Sequence, residues 1–222
     1  MKKRIAAVLC AACLILSLLA GCGSTESYPA MEELLTTASG SSANLGTVSN
    51  DTVSVSYPTD AWTGVDDTDP LTVYYTETMY DAGSAVNINV QPSGTYSGKL
   101  TKKTMEQLVE ALGENYPTME IETAELRTLD GSPVIYMESV MSFTEESLDN
   151  LVESGAITED YIESVGGRET ILAIPPTDQL TIYAVQGAYL YIYTGTYYEE
   201  AQKDAVLSCM ITMAQTTEEA GS

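Results

Sequence analysis

Asp130-Gly131 stands between two long runs of strand-forming residues, 120–128 and 134–143. That dipeptide in that setting is the strongest local signal for an antiparallel hairpin. A hairpin of that length commits both strands to antiparallel neighbours, and the rest of the pattern agrees. Gln186-Gly187 separates a second pair of runs, 180–186 and 189–194. Earlier, Val53, Val55 and Tyr57 alternate along a strand over 52–57 that Pro58 stops. Runs 71–77 and 85–91 predict two more strands around the turn Asp81-Ala82-Gly83-Ser84, with Val86, Ile88 and Val90 on one face and Trp62 in a preceding loop.

Helical spacing appears in three places. Met105, Leu108, Val109 and Leu112 recur at i, i+3, i+4 and i+7, predicting a helix over 101–112 that Gly113 closes. A final helix over 198–213 carries Ala201, Ala205, Cys209, Met210 and Met213 on its apolar arc. Between the hairpins, Thr144 and Thr158 suit N-caps of two short helices that Gly155 and Gly166 end, and Pro175-Pro176 closes the excursion. Each of these helices has a small apolar set: Leu148, Leu151 and Val152, then Tyr161, Ile162 and Val165. The order predicts an α+β domain at 51–216, with a central, mostly antiparallel sheet flanked by helices and a two-helix insertion at 144–176. Residues 217–222 are expected to form a disordered tail.

The first 21 residues have the parts of a secretory signal: basic Lys2, Lys3 and Arg4, an apolar core at 5–20, and small residues before a cut. A core of about 16 residues falls short of the roughly 20 needed for a permanent span. Its end, Leu19-Ala20-Gly21-Cys22, resembles the bacterial lipobox. That resemblance implies cleavage between Gly21 and Cys22 and acylation of Cys22. Each buried methylene contributes about 0.8 kcal/mol, so two or three chains together hold permanently. The expected location is the extracytoplasmic face of the cell membrane. Residues 22–50 are rich in Ser, Thr, Gly and Ala and read as a flexible linker, with a helical turn at most over 31–37. Such a linker has a root-mean-square reach of about 30 Å.

Composition excludes several chemistries. The formal charge is −23, and losing the three basic residues of the signal takes it to −26. Such a surface repels nucleic acid, whereas a basic protein, a basic polymer or cations suit it. There is no histidine, which removes the commonest general base and metal ligand. Cys10 and Cys13 leave with the signal and Cys22 takes lipid, so Cys209 has no partner for an intramolecular disulfide. No nucleophile motif is present, and no pattern points to a cofactor.

Asp66, Asp67 and Asp69 crowd one turn, but the calcium loop's Asp-x-Asp-x-Asp-Gly with a distant Glu is missing, so a solvated acidic turn is expected. Tyr189, Tyr191 and Tyr193 share a strand face, with Tyr183 on the paired strand; the reading is a row covered by a helix. Cys209, on an apolar arc behind Glu199, Glu200 and Asp204, is expected to be a buried structural thiol. The excursion carries Glu145, Glu146, Asp149, Glu153, Glu159, Asp160 and Glu163, which read equally as a partner-binding surface or as a lid over the end of the sheet.

Tyr57-Pro58 with Trp62, the helix beginning near Thr101, Gly131-Ser132-Pro133-Val134 entering a long strand, and the final hairpin before the last helix together resemble the PsbP-like family, which includes the DcrB-like bacterial lipoproteins. The resemblance covers 52–213. It implies an antiparallel sheet with helices on both faces and no catalytic residue, since relatives serve as photosystem subunits, a small-GTPase-binding import factor and lipoproteins. The excursion is longer than the family's usual connection, so nothing transfers to it. The function expected is a membrane-anchored, non-enzymatic binding or scaffolding module of the cell envelope. An envelope hydrolase using paired carboxylates and a small-molecule or cation-binding lipoprotein are the alternatives.

Overall fold

The computed structural model describes residues 27–36, 44–65, 68–81 and 83–219. The signal and Cys22 therefore lie outside the described residues, as do Asp66 and Asp67 of the acidic turn.

The predicted hairpin is the longest among the described residues. β6 (Met119–Leu129) pairs antiparallel with β7 (Ser132–Met141). Asp130 at φ 49° and Gly131 at φ 76° form the tight connection, which needs left-handed backbone at both residues. The second hairpin is β8 (Thr177–Gln186) with β9 (Tyr189–Tyr197). Together with β3 (Trp62–Val65), β4 (Leu71–Tyr75) and β5 (Asn87–Thr95) they make one seven-stranded sheet ordered β3-β4-β5-β9-β8-β7-β6, antiparallel at every pairing.

A helix covers each face. Alternation along β7, β8 and β9 divides their side chains between two cores. Ile135, Met137, Tyr183, Leu190 and Ile192 pack with Leu108 and Leu112 of α1 (Lys102–Asn115). Val134, Tyr136, Leu180, Ile182, Tyr191 and Tyr193 pack with Val206, Leu207 and Met210 of α5 (Glu200–Gln215). The class is α+β, with an antiparallel sheet between helices. Close contact fixes one residue choice: a Cβ on Gly195 would sit 2.6 Å from Met210 Sδ and closer still to Val206 Cγ1, so α5 rides directly on the β9 backbone.

The structure differs from the sequence reading at four places. The first is the linker at 22–50. Part of it is docked: Met31, in a 3₁₀ turn at Met31–Leu34, is fully buried with the α5-side core, while Tyr28 packs against the α1-side core. Ala30 bridges Thr128 in parallel, and Thr128 N donates to Pro29 O at 2.8 Å. This segment straps the edge of β6. Further on, β1 (Leu45–Ser49) pairs with β2 (Val53–Pro58). Second, the tail at 217–222 is not wholly free, because Glu218–Glu219 form β10 on the other side of β2, completing a three-stranded sheet. Third, Trp62 begins a strand, buried there edge-on to Tyr75 with ring centroids 5.3 Å apart. Fourth, α1 runs through Gly113, whose added Cβ would meet nothing, to Asn115.

Candidate functional site

The excursion leaves the sheet at Met141 and returns at Thr177, and these two residues are direct cross-strand partners. It is thus an insertion at the end of a hairpin, with both ends at one point. The two expected helices are present as α2 (Glu145–Glu153) and α3 (Glu159–Ser164), and a third short helix follows, α4 (Arg168–Leu172). Thr144 and Thr158 cap as predicted: Thr144 Oγ1 accepts from Ser147 N at 3.0 Å and Thr158 Oγ1 from Tyr161 N at 3.2 Å. Leu148, Ile162 and Ile171, one from each helix, form a small core with Phe143, Val152, Ile157 and Leu172, separate from the cores on either sheet face.

Arg168 organises the acids around that core. Its Nη1 donates to Asp149 Oδ1 at 2.6 Å and Glu145 Oε2 at 3.3 Å, and its Nη2 to Glu159 Oε1 at 2.6 Å. One guanidinium therefore joins all three helices. Its hydrogen bonds to Glu159 and Asp149 push its proton affinity above the ordinary arginine value, so it stays charged. Of the seven acids read as one surface, Glu145, Asp149 and Glu159 converge on Arg168. Glu146, Glu153, Asp160 and Glu163 remain exposed around the excursion. Val165 and Ile174, large apolar side chains, are exposed on the same unit. In the sequence Arg168 lies just past Gly167, where the helical pattern ends, and stands out as the one cation beside seven acids, but its role as their common partner is set by the fold.

The tyrosine row is a covered one. Tyr191 and Tyr193 are buried beneath α5, and the Tyr193 hydroxyl reaches Thr217 Oγ1 at 2.6 Å at the rim. Tyr183 does not join them, since it pairs with Ile192 and faces α1. Cys209 is fully buried, 3.8 Å from Met213 Sδ, and burial pushes its thiol well above the ordinary value.

A second polar assembly was invisible in the sequence. Glu138 on β7 accepts from the Tyr136 hydroxyl at 2.7 Å through Oε1 and from Lys203 Nζ of α5 at 2.7 Å through Oε2. Burial, then the bond to Glu138, pushes the Tyr136 hydroxyl far up. Both carboxylate oxygens are thereby engaged with donors, the arrangement of a structural tie between helix and sheet.

No family model matches the chain, and no curated protein matches it. Among solved structures it is similar to LpqN of Mycobacterium tuberculosis, a protein involved in cell envelope biogenesis. The identity is 11%, the TM-score 0.44, and the match covers 75% of this chain and 82% of that one. It is also similar to the cyanobacterial PsbP of Synechocystis, at 14% identity and TM-score 0.42 over 84% of this chain and 99% of that one. A Bacteroides thetaiotaomicron protein is similar at 13% identity and TM-score 0.38, over 77% of this chain and 46% of its own length.

Proposed function

We propose that the chain is a lipoprotein, anchored through Cys22 on the extracytoplasmic face of the membrane, that binds or scaffolds another envelope component without catalysing a reaction. The helical excursion is its docking part, and the occupant is a basic, partly apolar segment of that component. One observation carries this reading. A hairpin insertion with its own apolar core, tied by Arg168, holds Glu146, Glu153, Asp160 and Glu163 and the apolar Val165 and Ile174 in solvent. A lid would place its apolar residues on the sheet; this unit keeps Leu148, Ile162 and Ile171 for itself. Exposed apolar side chains among fixed acids complement a cationic amphipathic partner.

Two measurements test it. Anchoring predicts that labelled fatty acid enters the chain and that Cys22→Ser abolishes the label. For docking, photo-cross-linkers at positions 153 and 165 in native membranes should capture a partner through a lysine- or arginine-rich segment. Reversing Glu146, Glu153, Asp160 and Glu163 to Lys should end that capture, whereas replacing 144–174 with a short turn between Met141 and Thr177 should end it and leave the sheet folded. Capture that persists after charge reversal refutes the docking reading.

A further inference from the structure

Outside the signal, the cations of this chain are Lys99, Lys102, Lys103, Arg127, Arg168 and Lys203. The fold divides them into two sets. Arg127 pairs with Glu125, Arg168 with Glu145, Asp149 and Glu159, and Lys203 with Glu138. Lys99 and Lys103 are exposed and pair with no carboxylate among the described residues. Lys102 comes within 3.9 Å of Glu106, but both side chains are mostly in solvent, where such a pair holds little. The three lysines belong to a stretch, 82–105, that contains no acid, in a chain with 32 of them.

Their place in the fold is as specific as their charge. β5 ends at Thr95, opposite Tyr189, and Tyr96 N donates to Ala188 O at 2.7 Å, beside the Gln186-Gly187 turn. The Asp130-Gly131 turn lies at the same end of the sheet, since Val134 pairs with Ala184. Tyr96 and Leu100 are buried in the α1-side core, so the lysines around them stand at this end and on this face. The strap enters at the same end and on the same face: Thr128 Oγ1 donates to Tyr28 O at 3.4 Å, and Tyr28 packs against the α1-side core. Tyr28 follows Cys22 closely in the chain. The acids nearby are turned elsewhere. Glu32 and Asp130 each accept from Gln215 Nε2 of α5 at 3.2 Å, and Glu33 Oε1 accepts from Ala30 N at 3.2 Å.

We propose that Lys99, Lys102 and Lys103 face the bilayer and contact the headgroups of its anionic phospholipids; this rests on the reading that a lipid at Cys22 holds the chain there. Two observations select that occupant. The chain arrives from Cys22 at the end and face that carry the lysines, and their charge complements phosphate on a domain that otherwise repels it. Each lysine close to an anionic surface raises partition about fivefold, so three together give about a hundredfold. That gain orients a tethered domain without holding a free one against its net negative charge. Screening limits the reach of each charge to about 8 Å. The 10 residues of β7 set the root of the acidic excursion about 30 Å away, so its acids do not cancel the lysines.

The test reads the acetylation rate of each lysine by mass spectrometry, on the acylated chain isolated from membranes and reconstituted into vesicles. One set of vesicles is phosphatidylcholine alone, and the other mixes phosphatidylcholine with phosphatidylglycerol. Lys99, Lys102 and Lys103 should react about fivefold more slowly on the mixed vesicles, and raised salt should abolish the difference. Lys203, on the other face, should react alike on both and serves as the internal reference. In the double variant Lys102→Gln, Lys103→Gln, Lys99 should lose most of its protection. Four results overturn the proposal: equal rates on both vesicles, equal slowing at Lys203, full protection of Lys99 in the double variant, or stronger protection by soluble polyglutamate than by the mixed vesicles. A chain without lipid at Cys22 overturns the anchor and this proposal with it, whereas an acylated chain with equal rates overturns this proposal alone.

Discussion

Lys203 of α5 reaches across the sheet to Glu138 of β7, Nζ to Oε2 at 2.7 Å, and both side chains are about three-quarters covered. Because Tyr136 holds the other carboxylate oxygen, the pair ties helix to sheet through a geometry fixed from both sides. Replacing Glu138 with Gln should cost about 1–2 kcal/mol, and a double-mutant cycle with Lys203→Met should show coupling of about 1 kcal/mol. Urea melts of the four proteins measure both.

Alkaline pH should unfold this protein with unusual steepness. Burial raises the hydroxyls of Tyr96, Tyr136, Tyr191, Tyr193, Tyr197 and Tyr198 above the ordinary tyrosine value. Lys203 is raised too: burial opposes this most strongly, but the bond to Glu138 together with the negative charges of Glu138, Glu200 and Glu122 outweighs it. All these groups keep protons in the folded state that the unfolded chain releases above about pH 10. Their contribution is therefore complete below about pH 10 and is lost as pH rises through the folded values. Urea midpoints measured from about pH 8 to about pH 11 should hold and then fall sharply.

Arg168→Gln should loosen the excursion and nothing else. Three acids lose their common partner, so amide exchange across α2 and α3 should accelerate. Protection in β7, β8 and β9 should stay as in the parent chain. Hydrogen-exchange mass spectrometry resolves the two regions.

Met31→Ala should destabilise the whole domain by about 2–4 kcal/mol, the range for truncating a buried core side chain. A free linker would show no effect. Chemical denaturation distinguishes the two outcomes directly.

Gly195→Ala adds one methyl group where α5 meets β9, against Met210 and Val206. Overpacking of that kind costs about 1–3 kcal/mol. The thermal midpoint should fall, and Gly195→Ala combined with Met210→Ala should recover part of the loss.

The parts of the fold visible in the sequence are those specified locally. The Asp130-Gly131 turn depends on the backbone preferences of its own two residues, and Thr144 and Thr158 cap helices that begin at the next residue. The parts that were not visible depend on distant partners. Tyr28 and Met31 sit in a Ser- and Gly-rich background without periodicity, and what makes them structural, the edge of β6 and the cores on the two sheet faces, comes from far along the chain. β1, Leu-Gly-Thr-Val-Ser, is too short and too polar to signal a strand without β2 beside it. At the candidate site the caps and acids could be read, but the convergence of Glu145, Asp149 and Glu159 on Arg168 is a tertiary arrangement.

The strap at Tyr28 to Met31 changes the mechanics of the proposed anchor. From Cys22 to the first docked residue, Tyr28, the chain has six residue steps, and whatever its conformation it spans at most about 20 Å. A lipid at Cys22 would moor the domain on a short line rather than float it on a long one. The docked segment lies beside Thr128, next to the Asp130-Gly131 turn, so under that proposal this end of the hairpin would be held near the bilayer. The excursion springs from the opposite end of the same hairpin, at Met141 and Thr177, so it would be the part able to swing furthest from such a lipid.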